Sequence, residues 1–413
     1  MKSSIFVFAS DLQDEGYEQV LDNIQERGGL AGVGIAASYH HSRDLFPHNP
    51  VGKIRFLRGE VFFQPDESLY THTRMRPLVS PLVAQQDPLA TLAEKTGRRG
   101  LAVRAWTNNM HNTNLGSQYP DCIVQNAFGD PIITSLCPAN PDVRAYVCAM
   151  SANIARYPIA ALLVESVMYM PYDHGYHHER TLLPLTATHR FMMSLCFCPH
   201  CVAAGHTAGI DMQQLRQFVR TEMQRLFDGE ASILDEIPFD QNQIGALLNG
   251  AVGQFIKVRQ QVITSLMTEL VAAVKRERDI PVSFMDMSGG LHGVGSGMNV
   301  VGVTATAPER AWQDGIHFGD LAEVCDGLSV LAYTNDLHQV SADLEAYRQR
   351  VPANYRLSVA MRPMLPDCRS AEDVAEWVRV IAAARPAWIE FYHYAMMRLT
   401  SLDWIKKALA VTV

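Results

Sequence analysis

Short apolar runs recur along the chain and alternate with stretches of helical periodicity, an order that implies parallel strands joined by crossover helices. Eight runs read as strands: Ser4–Ser10, Leu30–Ser38, Leu101–Trp106, Ala160–Glu165, Pro281–Met287, Gly327–Tyr333, Arg356–Arg362 and Ala387–His393. Most are continuously apolar, as strands covered on both faces are. The periodicity predicts helices at Leu12–Arg27, Pro141–Ala155, Asp336–Arg350, Ser370–Ala384 and Leu402–Ala410. Eight such units fit an α/β fold of the (β/α)8 TIM-barrel type better than an open doubly wound sheet, which shares the same local signals.

A minimal barrel takes ~250 residues, and this chain has 413, so insertions are expected. One follows the second strand, from Tyr39 to about Lys95, with a hairpin predicted over Ile54–Pro65. The other, 166–280, is helical and Cys-rich and lies within a single barrel domain of residues 1–413. Both leave from C-terminal strand ends, the face on which barrel enzymes build their sites.

Composition narrows the partners. The chain is 48% hydrophobic and 19% charged with a formal net charge of −8, and no Lys/Arg cluster is interleaved with aromatics. A nucleic-acid partner is therefore not expected. No apolar stretch approaches the ~20 residues of a membrane span. The opening MKSSIFVFASDLQDEGYEQV lacks a cleavage site and reads as a first strand. A cytoplasmic protein with no membrane partner is expected, and a homo-oligomer is left open. Eight Cys in so long a chain do not demand a disulfide framework.

The sharpest local signal is Leu195-Cys196-Phe197-Cys198-Pro199-His200-Cys201. Three thiols spaced C-x-C-x-x-C can converge on one ion from a tight turn, and thiolates suit a four-coordinate zinc. His200, between two thiols, can ligate or point away. A closed tetrahedral site wants a fourth ligand, and Cys137 in Cys137-Pro138-Ala139-Asn140-Pro141-Asp142-Val143-Arg144 is the candidate. The alternative is a set of unrelated cysteines.

This order of features, C-P-x-x-P-x-x-R, a strand ending in Glu, then C-x-C-x-x-C and a helix, resembles the β-galactosidases of glycoside hydrolase family 42. The likeness covers roughly Cys137 to Cys201 and extends to a broad group of glycosidase-like barrel proteins with similar Cys clusters. It implies a structural zinc held by Cys137, Cys196, Cys198 and Cys201, a carbohydrate substrate, and a general acid/base at the end of the fourth strand, where Glu165 stands. Two departures are plain. The family's Asn-Glu pair is Val164-Glu165 here, and its strand-seven Glu nucleophile is replaced by Arg362.

Glycoside hydrolysis ordinarily needs two carboxyl groups flanking the bond. Glu165 ends an apolar run and is expected at the barrel mouth, although a rim Glu can also be merely ion-paired. For the partner, three substitutes stand at or near strand ends: Asp286, Glu390 and Asp336. Asp286 is preferred because it ends strand five and leads into Ser288-Gly289-Gly290; Glu390 is expected to pair with Arg362 on the neighbouring strand. His40, Trp106, Asn108, His111, Tyr172, Tyr333, Arg362, Glu390, Tyr392 and His393 are candidate sugar-binding groups, because pockets for polyhydroxylated ligands mix aromatic walls with a few polar atoms. Each aromatic alone also fits a plain core cap.

Two other readings compete. The His-rich Tyr172–Glu179 segment reads as a substrate-facing loop after strand four; alternatively, it and the rim histidines could hold a catalytic metal in a barrel hydrolase or lyase, although no H-x-H or H-E-x-x-H pattern sits there. The missing strand-seven Glu instead suits a barrel that binds carbohydrate without catalysis. No G-x-S-x-G elbow or P-loop is present, and Ser288–Gly297 reads as a rim loop.

Overall fold

The computed structural model describes residues 1–176, 180–292 and 305–411. Eight parallel strands form its centre: β1 (Lys2–Val7), β2 (Gly32–Ser38), β3 (Ala102–Asn108), β4 (Ala161–Glu165), β5 (Val282–Asp286), β6 (Gly327–Leu331), β7 (Arg356–Met361) and β8 (Trp388–Phe391). Each pairs with the next, and β1 pairs with both β2 and β8, so the sheet closes. The protein is a (β/α)8 TIM barrel.

Alternation along each strand separates two apolar layers. Ile5, Val7, Val33, Ile35, Leu162, Val164, Val282, Phe284, Val359 and Ile389 face the surrounding helices. Phe6, Phe8, Ala36, Trp106, Leu163, Met285 and Ala360 fill the barrel interior. Low in that interior Arg104 and Glu390 form a buried ion pair, and Ser329 Oγ donates to Glu390 at 2.7 Å. A buried charge needs such partners, since desolvation otherwise exceeds the Coulomb gain.

Strand and helix limits differ from the sequence reading where side chains cap the backbone. The Phe8 N–H donates to Asp11 Oδ2 at 2.8 Å, which starts a helix at Ala9–Glu15 and ends β1 at Val7 instead of Ser10. The helix read as Leu12–Arg27 is broken at Gly16, whose φ of 90° only glycine adopts readily. The hairpin also differs. Its arms are His41–Leu45 and Ile54–Arg58, in antiparallel register from His41 opposite Arg58 to Leu45 opposite Ile54. Ile54–Pro65 contained only the second arm, because His41-Ser42-Arg43-Asp44-Leu45 has too little apolar alternation to read as a strand. Glu60–Val61 then returns antiparallel beside Ser38 of β2.

Between β4 and β5 lie helices Ala187–Met193, Pro199–Thr207, Met212–Asp228 and Ala251–Glu277. The last packs along the helix Pro141–Ala155. Among the described residues no helix is long and apolar enough to cross a membrane.

Candidate active site and metal centre

Glu165 ends β4 with the same inward parity as Leu163, so its carboxyl stands at the C-terminal mouth of the barrel. Trp106 Nε1–H donates to Oε2, and Asn108 Nδ2 donates to Oε1 at 3.3 Å. Both partners come from β3, the adjacent strand, in register with it. The chain turns sharply after the carboxylate: Ser166 takes φ 59° and its Oγ accepts from Asn108 Nδ2 at 3.1 Å. A non-glycine residue in that region stores strain, a feature that clusters at functional sites.

Burial pushes the Glu165 carboxyl up to about 7, against the opposing hydrogen bonds from Trp106, Asn108 and Ser166. A carboxylic acid in this range can hold a proton at neutral pH and give it away.

An aromatic wall surrounds it. The Trp106 ring lies 4.9 Å from Tyr39 and 6.0 Å from Tyr392, and the Tyr39 and Tyr392 hydroxyls are 3.0 Å apart. Tyr333 lies 5.5 Å from Tyr392, with the Arg362 guanidinium 4.8 Å over its ring. The ring contacts continue outward from Tyr39 to His40 at 4.2 Å, His111 at 4.4 Å and His174 at 4.8 Å. Tyr333, Arg362, Tyr392 and His40 are half-buried, whereas Glu165 beneath them is buried.

Several sequence candidates are thus brought together: Glu165, Trp106, Asn108, His40, His111, Tyr333, Arg362 and Tyr392. His393 is buried with its ring 4.0 Å from Phe8, and Tyr172 opens the loop carrying His174, its N–H donating to Ser194 Oγ at 3.0 Å. Tyr39 and the His174 of the His-rich loop join the mouth as well, and Ser38 joins it without having been singled out. Tyr39 was legible as the residue that follows the second apolar run and His174 as part of the His-rich loop; Ser38 was not, because its contact with Asn108 comes from the neighbouring strand.

Three expectations require correction. Asp286 does not share the mouth with Glu165. It has the outward parity of Phe284, and its carboxylate accepts from Tyr347 Oη on the helix Leu337–Arg350 and from Ser288 Oγ at 2.9 Å. Glu390 does not pair with Arg362 and does not reach the mouth, because it lies two residues below Tyr392 and its oxygens are taken by Arg104 and Ser329. Arg362 is held instead by Asp367, through two bonds of 2.7 Å. Asp336, the third substitute, caps the helix Leu337–Arg350 through the His338 and Gln339 N–H groups.

Among the described residues no histidine belongs to a group of three or more side chains placed to hold a metal ion. The His40 and His111 rings are stacked with 18° between their planes, so their in-plane lone pairs do not meet at one ion. Burial, with the neighbouring His40, holds the His174 imidazole down at about 4. Residues 177–179 of the His-rich loop and 293–297 of the glycine-rich stretch lie outside the described residues.

The cysteines do converge. Cys137, Cys196, Cys198 and Cys201 are all buried with sulfurs within 4.8 Å of one another. Cys137 Sγ is 3.5 Å from both Cys198 and Cys201 and 3.9 Å from Cys196. A tetrahedron with metal–sulfur arms of about 2.3 Å has edges of about 3.8 Å, so the four thiols fit a metal ion. Among the described residues this is the one group of three or more ligand side chains that does so. Cys198 precedes the helix Pro199–Thr207, and Cys137 follows the strand Pro131–Leu136. Tyr169 Oη lies 3.5 Å from Cys201 Sγ, and the fully buried Arg259 guanidinium stands 4.5 Å over the Tyr169 ring.

Comparison with known proteins bears on the fold. No family model and no curated protein matches the sequence. Among solved structures the chain is similar to α-L-fucosidase isoenzyme 2 from Paenibacillus thiaminolyticus, with a TM-score of 0.56 and 12% identity over 100% of this chain and 49% of that one. It is similar to the catalytic domain of β-amylase from Paenibacillus polymyxa, with a TM-score of 0.54 and 12% identity over 99% and 98% of the two chains. A β-galactosidase from the psychrophilic Marinomonas ef1 gives 0.54 and 11% over 100% and 59%. The chain thus spans about half the length of the fucosidase.

Proposed function

We propose that this protein is a glycoside hydrolase acting on a small glycoside or oligosaccharide, with Glu165 as the general acid. The observation that carries the reading is the inward-facing Glu165 carboxyl, pushed up to about 7 by burial and ringed by Trp106, Tyr39, Tyr333 and Tyr392. A proton held at the base of an aromatic mouth suits protonation of a glycosidic oxygen, with sugar rings stacked on the walls. The barrel neighbours, a fucosidase, an amylase and a β-galactosidase by name, support the same class of substrate. In this reading Asn108 and Arg362 orient hydroxyl groups, and His40 and His111 line the outer approach.

The four cysteines would hold zinc as a structural ion. When bound, it cross-links the segment after Leu136 to the start of the helix Pro199–Thr207 and takes no part in bond cleavage. Arg259 would offset the negative charge of a metal bound by four thiolates.

The test is Glu165→Gln assayed on a panel of aryl and alkyl glycosides. Loss of about 100-fold or more in kcat on alkyl glycosides, with the fold and metal content unchanged, supports the reading. Near-normal turnover by the variant removes Glu165 from that role. If sugars bind but no glycoside is cleaved by the wild type, the carbohydrate-binding alternative takes its place.

A further inference from the structure

A two-carboxylate mechanism leaves one group to be found, since Asp286 faces the helices, Glu390 lies below the mouth and Asp336 caps a helix. The hairpin after β2 supplies a candidate. Residues directly opposite one another on antiparallel strands share a face, and here Ser42 opposes Leu57 while Asp44 opposes Arg55. Leu57 is buried in the same cluster as Phe8, Tyr39 and Trp106. The next residue of this parity after Asp44 is Phe46, which is buried and stacks 5.8 Å from Phe8. The face carrying Ser42, Asp44 and Leu57 is therefore the one turned onto the barrel mouth. Leu45 and Phe56 on the other face are 64% and 68% exposed.

The hairpin is held firmly. Arg55 pairs with Asp14, and Asn49 Nδ2 donates to Asp14 Oδ2 at 2.9 Å. His48 Nδ1 lies 2.8 Å from Glu15 Oε1. Ser42 Oγ donates to Asp44 Oδ2 at 2.6 Å and orients that carboxylate. Burial raises the Tyr39 phenol well above its usual value, and Tyr392, Glu165 and Asp44 add to the rise. The Tyr392 phenol is likewise raised by burial, with Asp44 and Glu165 contributing. The hydroxyl pair, 3.0 Å apart, thus feels one carboxyl from β4 and another from the hairpin.

We infer that Asp44 is the second carboxylate of the site and the base that activates water. The inference rests on the glycosidase reading above. Water attacks the anomeric carbon and forms the new C–O bond while Asp44 takes its proton. The bond to the leaving oxygen breaks with its electron pair, and Glu165 protonates that oxygen. One water is consumed, and solvent returns Asp44 and Glu165 to their starting states. Direct attack by water on the anomeric carbon inverts its configuration.

The experiment compares Asp44→Asn, Asp44→Ala and Glu165→Gln on dinitrophenyl and methyl glycosides of one sugar. The acid is dispensable for a good leaving group and the base is not. Glu165→Gln should therefore lose about 100-fold or more on the methyl glycoside and far less on the dinitrophenyl one. Asp44→Asn should lose about 100-fold or more on both. Azide should restore turnover of the dinitrophenyl glycoside by Asp44→Ala and yield a glycosyl azide of inverted configuration, which only a folded site can make. Asp44→Asn within about fivefold of wild type on both substrates, alongside an impaired Glu165→Gln, overturns the Asp44 assignment and leaves the glycosidase reading standing. A retained product anomer from the wild type also overturns it. A wild type that cleaves nothing overturns both.

Discussion

Replacing Glu165 by Gln makes a stability prediction that needs no substrate. The carboxyl is buried and its pKa is raised from 4.5 to about 7. The folded state therefore binds this proton more tightly than the unfolded state, and stability from this group is present below pH 4.5 and is lost as pH rises through 7. At 1.36 kcal/mol per pKa unit the full penalty is about 3 kcal/mol, of which less than about 1 kcal/mol is already felt at pH 5. Gln carries no such titration. It accepts from only one of the two donors that Glu165 satisfies, Trp106 Nε1–H and Asn108 Nδ2–H. That mismatch costs about 1–3 kcal/mol at every pH. Urea unfolding of both proteins from pH 5 to 8.5 should thus show the variant gaining on the wild type by about 2–3 kcal/mol across the range, on top of a constant offset. A stability difference flat within about 0.5 kcal/mol would refute the argument, because a carboxyl that titrates alike in both states contributes no slope. The same raised pKa predicts that turnover falls as pH climbs through about 7.

Cys198→Ser should abolish metal binding, reducing zinc from one equivalent per chain to none by elemental analysis and lowering Tm, since a structural ion contributes its binding free energy to folding. Arg259→Met removes the buried cation over Tyr169 and should weaken metal affinity about 10–100-fold in a chelator competition, with a smaller effect on the metal-free protein. Unchanged affinity would show that Arg259 does not balance the thiolate charge. Asp286→Asn weakens the link to Tyr347 and should cost about 1–3 kcal/mol in denaturant unfolding with kcat near wild type. A 100-fold fall in kcat with stability intact would return Asp286 to the chemistry.

Much of the barrel can be read from the chain because each strand is a run of apolar residues flanked by turn chemistry. The same property hides which way a strand-end side chain points. Val282, Phe284, Ser283 and Met285 pack on opposite sides of β5 with little difference in polarity, so nothing in the string Val-Ser-Phe-Met-Asp says that Asp286 faces the helices. Glu165 could be assigned to the strand end, but its inward direction follows from register with β3. Arg104 and Glu390 are 286 positions apart and meet only across the closed ring. Asp44 sits in a polar hairpin arm without a strand signal, and its relevance comes from the burial of Leu57 on the opposite arm and the packing of Phe46 on Phe8.

The order of strands and the thiol set centred on Cys198 were determined by the amino-acid sequence itself, because backbone propensity and ligand spacing act over a few residues. Which carboxylates face the mouth, and which cations neutralise the rest, was decided only by tertiary structure. Ring closure sets strand register, and register chooses the neighbours of every side chain that the local pattern leaves ambiguous.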